Sequence, residues 1–369
     1  MVELKGKYTT AKIFAETVEQ EVISQVYDLL NHPMFEGEKV RVMADTHAGK
    51  GCVVGLTTTT NDIMIPNIIG VDIGCGMLTV ALGSNPIDLE ALDDFIYKKL
   101  PSGFNVNERA KTNHTHKSLL KEVKRISELT GTEYYRHHLS LGSLGGGNHF
   151  IEIAKDSIGL QYLVIHSGSR NFGLQICKYH QKKAVEYREL KGHKIPKTLA
   201  FLEGQQAQDY IRDMKVGTEF ASVNRNIMAD RILDFLDLKS DSRFETIHNY
   251  YDGEIIRKGS ISAKDSEPVL IPINMRDGSI LAVGKGNEDY NNSAPHGAGR
   301  VMSRSKAKAT LDFEEFQESM SDIYTNTVHR STLDEAPRTY KPMDEIIRNI
   351  SDTVEVVDIL KPIYNFKAH

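Results

Sequence analysis

Cysteine is scarce: three residues, Cys52, Cys75 and Cys177, in 369. So few, and an odd number, exclude a disulfide framework and point to a reducing compartment where a thiolate stays free to serve as a ligand. No apolar run approaches the length needed to cross a bilayer, so no membrane partner is expected. The opening Met1-Val2-Glu3-Leu4-Lys5-Gly6-Lys7 lacks the basic-then-apolar pattern of a secretory leader, and the expected location is cytoplasmic. Positive charge is not in excess. The formal net charge of −5 excludes wholesale coating by nucleic acid and leaves room only for a local basic groove. Internal repeats and proline-rich linkers are also missing. The hydrophobic fraction of 40% and charged fraction of 26% are those of an ordinary folded protein. The length admits two or three domains, but motifs at both ends of the chain point to one interwoven domain over 1–369.

The pattern of apolar residues predicts an N-terminal amphipathic helix over 15–31, with Val18, Val22, Val26 and Leu29 at helical spacing and Pro33 as a stop. Lys39–Met43 reads as a strand that delivers Asp45-Thr46-His47-Ala48-Gly49-Lys50-Gly51 to a loop. Val71-Asp72-Ile73 reads as the end of a second such approach. Helices are predicted at 87–99 and at 116–129, the latter closed by Gly131, and more helix between 174 and 237, a mixed-charge stretch given no catalytic role. From 244 onward, runs at 244–248, 254–257, 269–271 and 279–283 alternate with turns and read as strands. The fold class is therefore α/β (α+β), with mixed sheets surrounded by helices.

Chemistry concentrates in short glycine-rich segments. Gly70-Val71-Asp72-Ile73-Gly74-Cys75-Gly76 sets a carboxylate and a thiol three residues apart. A mixed hard, borderline and soft donor set suits a borderline divalent ion such as Mn²⁺ or Zn²⁺. Taken alone, Asp72 and Cys75 read equally as a turn former beside a buried structural cysteine. Four histidine contexts change that balance: Gly147-Asn148-His149-Phe150-Ile151-Glu152, Val164-Ile165-His166-Ser167-Gly168-Ser169-Arg170, Ile247-His248-Asn249, and Pro295-His296-Gly297-Ala298-Gly299-Arg300. Each sets an imidazole at a strand edge or tight turn, where it can serve as metal ligand or nucleophile.

These motifs, in this order, resemble the signatures of the RtcB family of RNA ligases, from the Asp45–Gly51 loop to Lys367. The resemblance implies the family's own α/β architecture. It implies an enzyme that joins RNA 3′-phosphate or 2′,3′-cyclic phosphate ends to 5′-hydroxyl ends with GTP and Mn²⁺, in RNA repair or tRNA splicing. It implies two Mn²⁺ ions held by Asp72, Cys75, His149, His166 and His248, with Cys75 bridging both. His296 is then the nucleophile that becomes a covalent histidine-GMP, from which the guanylate passes to the RNA 3′-phosphate and leaves as GMP on attack by the 5′-hydroxyl. Guanylate contacts implied are Asn148, His149, Phe150, Ile151 and Glu152, His248 with Asn249, Pro272, Ile273, Asn274 and Met275, Ser279, His296 with Gly297, Ala298 and Gly299, and Lys367. Arg170, Lys258 and Arg300 are further candidates for phosphate contact. Asp45 and His47 are expected to stand behind the site or to meet the RNA end.

One stretch departs from the family's wording. Where Pro-Gly-Ser-Met-Gly is common, this chain has Pro272-Ile273-Asn274-Met275-Arg276, so Ile273 and Arg276 are expected to crowd or recharge the guanylate pocket. RNA contact is expected along Arg300, Arg304, Lys306 and Lys308, with a solvated helix face as the competing explanation. Two other functions stay open at this point: a metal-dependent phosphoesterase, in which the same ligands activate water, and a noncatalytic RNA-binding relative. An activating protein partner is neither required nor excluded by these motifs.

Overall fold

The computed structural model describes every residue except Lys50, Asp62, His193, Lys194, Ala368 and His369. Among the described residues, three sheets carry the fold. The largest has seven strands in the order Pro268–Asn274, Gly278–Gly284, Val354–Lys367, Phe150–Lys155, Gln161–Ser167, Gly76–Gly83 and Arg243–Ile247. Every pairing within it is antiparallel. A six-stranded sheet runs Val2–Lys5, Thr10–Ile13, Val40–His47, Val54–Thr59, Ile255–Lys258 and Asn249–Tyr251, with one parallel pair between its second and third strands. A short ribbon pairs Ser260–Ser262 with Ser293–Pro295. Strands more than two hundred residues apart in sequence are thus neighbours, as the pairing of 150–155 with 361–367 shows.

Helices cover these sheets. The two long ones, Arg170–Lys191 and Gly204–Phe235, pack against each other, and the second also packs against the strands Gln161–Ser167 and Gly76–Gly83. Their buried positions, among them Phe172, Ile176, Tyr210, Met214 and Phe220, join residues of the N-terminal sheet in the largest apolar cluster. Burial of such side chains stabilises each by roughly 1.5–3 kcal/mol, which is why the amphipathic pattern predicts the helices well. The N-terminal helix occupies Gln20–Leu30 and buries Val22, Val26, Leu29 and Leu30, a shorter span than the periodicity suggests because Val18 lies outside it. The other two predicted helices form at Leu89–Lys99, capped by the Asp88 side chain, and at Lys117–Thr130, ended by a left-handed Gly131.

One expectation fails in its local form. Val71-Asp72-Ile73 is not a strand end; a short helix, Pro66–Ile69, precedes it. Pro66 sits at the first helical turn, where its fixed φ favours helix, and Gly70 at φ 91 breaks it and starts the turn that carries Asp72 to Cys75. Among the described residues no helix is long and apolar enough to cross a membrane.

Candidate metal and phosphoryl-transfer site

The Asp72–Cys75 turn is closed by a hydrogen bond from Cys75 N–H to Asp72 O (3.2 Å) and ends where the strand Gly76–Gly83 begins. That strand pairs with Gln161–Ser167 so that Met77 faces His166, and with Arg243–Ile247, after which His248 donates its N–H to Cys75 O. Strand pairing therefore brings together residues far apart in sequence. Cys75 Sγ lies 3.3 Å from His166 Nε2 and 3.5 Å from His149 Nε2, and His149 Nε2 lies 3.1 Å from Asp72 Oδ2. Donor atoms of Cys75, His149 and His166 all fall within 4.8 Å of one another. Four imidazoles run in file: His149 to His166, 5.2 Å between centroids; His166 to His248, 5.3 Å; His248 to His296, 4.9 Å.

The donors fit a divalent ion. His149 spends Nδ1–H on Leu144 O (2.9 Å) and His166 spends its own on Asn148 O (3.1 Å), so backbone carbonyls fix both rings while the Nε2 atoms converge on the thiol. Anchoring one ring nitrogen and aiming the other is the arrangement that metal-ligating imidazoles adopt. Burial, reinforced by neighbouring cationic or imidazole groups, holds His166 and His248 well below the usual histidine range, leaving neutral rings with available lone pairs. Burial also pushes the Cys75 thiol up, and the Asp72 charge adds to this. A cation arriving here displaces the thiol proton. Burial alone would raise Asp72, but hydrogen bonding with His149 and Cys75 and the nearby imidazoles pull it below the usual carboxylate range. Gly168 packs on that carboxylate: a Cβ there would meet Asp72 Oδ1 at 2.1 Å.

The helix Gly204–Phe235, given no part in the chemistry by its sequence, supplies the clamps. Asn224 and Arg225 are both fully buried. Arg225 Nη1 donates to Gly74 O and Ser167 O, both at 2.8 Å, and Nε donates to Glu245 at 2.9 Å. Asn224 accepts from the N–H groups of Gly142 and Ser143 and donates to Ser143 O and Ser167 Oγ. Together they lock the Cys75 turn, the His166 strand end and the loop that leads to His149. The only signal in the sequence is an adjacent Asn-Arg pair whose helical phase falls on the buried face.

His296 follows the ribbon strand Ser293–Pro295. Its Nδ1–H donates to Asp45 Oδ2 at 2.6 Å and its backbone N–H donates to the same oxygen at 3.1 Å. Asp45 is fully buried, so the RNA-contact reading of this residue is replaced by one in which it orients His296. With Nδ1 occupied, Nε2 carries the lone pair. Gly299, at φ 73, lets the His296 loop lie on Asp45: a Cβ there would meet Asp45 O at 2.7 Å. His47 also lines the pocket, and burial lowers its pKa. Asp45 and His47 belong to the strand Val40–His47 and not to the expected loop, and Lys50 of the same sequence motif lies outside the described residues.

A pocket opens in front of His296, His248 and His166. Among its walls are the expected Asn148, Phe150, Glu152, Pro272, Ile273, Asn274, Met275, Ser279, Gly297, Ala298, Gly299, Arg300 and Lys367. Five expected contacts are not in that lining: His149, Ile151, Asn249, Arg170 and Lys258. Strand alternation puts Ile151 on the opposite face, in the apolar core, while Phe150 and Glu152 face the pocket. Asn249 braces the metal turn, donating to Asp72 O and accepting from Gly259 N–H. Arg170 bonds Ser143 Oγ and Gly103 O, and Lys258 Nζ bonds Asn67 O. Arg276 turns to Asp277, 2.7 Å away, and lies outside the lining, so of the two residues expected to crowd or recharge the pocket only Ile273 touches it.

Glu335 and Tyr340, unmarked in the sequence, complete the wall. Burial would raise Glu335, yet the charges of Lys367 and Arg304 and hydrogen bonds from Tyr340 and Lys367 bring it down to about 2. Asp334 and Glu335 also pair with Arg304, and Asp334 with Lys308, at 2.7–3.2 Å.

Fold and site together define a protein built around a thiol, carboxylate and imidazole cluster that borders a pocket with an oriented histidine. The sequence model of the family described as tRNA-splicing ligase RtcB matches residues 25–135 and 122–368. The RNA-splicing ligase RtcB of Escherichia coli K12 is 31% identical over 392 residues, covering 95% of each chain. The tRNA-splicing ligase RtcB of Archaeoglobus fulgidus is 25% identical over 92% of this chain and 89% of its own. This chain belongs to the RtcB family of RNA ligases.

Proposed function

We propose that this chain is a GTP- and Mn²⁺-dependent RNA ligase that joins 3′-phosphate or 2′,3′-cyclic phosphate ends to 5′-hydroxyl ends in RNA repair or tRNA splicing. The observation that carries the reading is the Asp45–His296 pair, set beside the donor cluster and fronting a pocket. Asp72, Cys75, His149, His166 and His248 would hold two Mn²⁺ ions, whose charge offsets that of the triphosphate and of the leaving pyrophosphate.

His296 Nε2 attacks the α-phosphorus of GTP; an N–P bond forms, the bond to the β-phosphate breaks, and pyrophosphate departs. The imidazole becomes cationic in this step. Asp45, within 2.6 Å of Nδ1, stabilises that charge and keeps the tautomer. An oxygen of the RNA 3′-phosphate then displaces His296 from phosphorus, giving RNA(3′)pp(5′)G. The 5′-hydroxyl oxygen attacks the 3′-phosphorus, GMP leaves, and a phosphodiester remains. Lys367, among the pocket walls, would bind anionic or carbonyl oxygens of the guanylate, and Arg300, whose guanidinium bonds Met302 O, Tyr340 OH and Asp334 O, would do so through its remaining N–H groups. Because the contributing residues run from Asp45 to Lys367, we take 1–369 as a single ligase domain. A reducing cytoplasm suits it, since all three cysteines are free and buried.

Incubation with α-labelled GTP and Mn²⁺ should leave acid-labile label on the protein that is missing in His296→Ala. Adding RNA with 3′-phosphate and 5′-hydroxyl ends should move the label to RNA and then release it as GMP. A fully metallated wild-type protein that hydrolyses phosphoesters without ever carrying label is instead a phosphoesterase.

A further inference from the structure

The RNA-binding surface of a ligase has to lie beside the reacting centre, and the basic run expected to provide it is largely spent. Arg304 and Lys308 pair with Asp334 and Glu335, and Arg300 bonds Asp334 O and lies 3.5 Å from Glu335. On the other side of the cluster, a different chemistry stands open.

Phe104 is 95% exposed, an unusual state for a phenyl ring, and Tyr135, the chain neighbour of the Arg136 that bonds Phe104 O, is 64% exposed. The turn that carries Phe104 is held at several points. Gly103 N–H donates to Gly145 O at 2.8 Å, Gly103 O accepts from Arg170 Nη2 at 2.6 Å, Asn105 N–H donates to Ser102 O, and Phe104 O accepts from Arg136 Nη2 at 3.2 Å. Asn107, buried, ties the following residues to Leu139 O and Leu141 O. The ring is thus presented by a pinned backbone. The same contacts tie it to the cluster: a Cβ on Gly145 would meet the Arg170 guanidinium at 1.7 Å and His149 Nδ1 at 2.8 Å. Arg170 therefore packs directly behind an imidazole of the donor set while its other arm holds Gly103.

Arg136 is exposed and reaches Phe104 O, and Arg109 and Lys111, a few residues along the chain from Phe104, are exposed as well, as are the acidic Glu108 and Glu133. Aromatic rings flanked by cations are the means by which proteins hold single-stranded nucleic acid without reading its sequence, since every base offers a face to stack on. We infer that Phe104 and Tyr135, with Arg136, form a stacking platform for a single-stranded end of the RNA substrate beside the metal cluster. This rests on the RNA-ligase reading for the identity of the polymer. Because the local charge is small, stacking rather than phosphate contact carries the affinity, and the contribution of Phe104 depends only weakly on salt.

The chain contains no tryptophan, so Phe104→Trp places a sole indole at the platform. A short single-stranded oligoribonucleotide with a 5′-hydroxyl should quench that indole saturably. Phe104→Ala should raise the Kd of the same oligonucleotide, and its KM in joining, by about 5- to 100-fold, with little change in that ratio between low and moderate salt. Transfer of GMP to His296 should be unaffected, and Phe104→Trp should join RNA as wild type does. Oligonucleotide binding without quenching, together with an unchanged Kd in Phe104→Ala, overturns the platform. So does a Phe104→Ala variant whose nucleotide transfer falls in step with joining, which means the ring only supports the fold. Because binding is read without catalysis, a wild-type protein that binds RNA through Phe104 yet never carries GMP sinks the ligase reading and leaves the platform standing.

Discussion

One carboxylate oxygen, Oδ2 of Asp45, accepts both the backbone N–H and the imidazole Nδ1–H of His296, at 3.1 and 2.6 Å. Two hydrogen bonds to one buried atom fix the ring's position and its tautomer together, so the nitrogen proposed as nucleophile would need no search before attack.

Asp45→Asn keeps the shape and removes the charge. The single-turnover rate of histidine-GMP formation at saturating GTP is expected to fall roughly 10–100-fold, with GTP binding little changed. A rate equal to wild type would reduce the contact to scaffolding.

Arg225 ties three segments of the site together from a fully buried position. Arg225→Met leaves the Glu245 carboxylate and the Gly74 and Ser167 carbonyls without it, and should cost about 3–5 kcal/mol in denaturant unfolding of the metal-free protein. A loss under about 1 kcal/mol would show that water replaces the guanidinium easily.

Glu335 governs acid stability. Its carboxyl is depressed from 4.5 to about 2 in the folded protein. A depressed carboxyl contributes stability that is complete above its unfolded pKa and disappears as pH falls through the folded one. Between pH ~4.5 and ~2, wild type should therefore lose on the order of 3 kcal/mol that Glu335→Gln does not lose over the same window. Parallel pH–stability curves for the two proteins would refute the assignment.

Asn365 and Glu152 are directly opposite on paired strands, and Asn365 Nδ2 donates to Glu152 Oε2 at 2.9 Å. Glu152 Oε1 and Asn365 Oδ1 are buried without a hydrogen-bond partner among the described residues, and burial pushes the Glu152 carboxyl up to about 8, so that it holds a proton at neutral pH. If the pocket takes guanylate as proposed, Asn365 Oδ1 is the acceptor that would meet the guanine 2-amino group. Asn365→Leu should lower the preference for GTP over ITP, which lacks the 2-amino group, by about tenfold in competition for the histidine adduct. An unaltered preference would remove Asn365 from base selection.

That Asp72, Cys75, His149, His166, His248 and His296 gather was legible because thiol, carboxylate and imidazole recur in short segments, several of them glycine-rich, that announce tight turns. Helices such as Lys117–Thr130 were legible from apolar spacing. Arg225, Asn224 and Glu335 were not, since a charged residue in a mixed-charge helix or an Asp-Glu pair in a loop reads as surface until its partners are known. The turn at Asp72 was misread as a strand end because Val-Asp-Ile is apolar and β-branched on both sides of the carboxylate, a pattern that Pro66 and Gly70 override.

Which atoms can do the chemistry was written in the chain itself, since side-chain type decides what can ligate, attack or accept a proton. Their meeting was a matter of tertiary structure alone. Antiparallel pairing of 76–83 with 161–167 and 243–247 brings the thiol to its imidazoles, and packing of the His296 loop on Asp45 fixes the imidazole proposed as nucleophile. Such contacts span tens to hundreds of residues, and local sequence carries no record of them because their energy exists only once both partners are buried together.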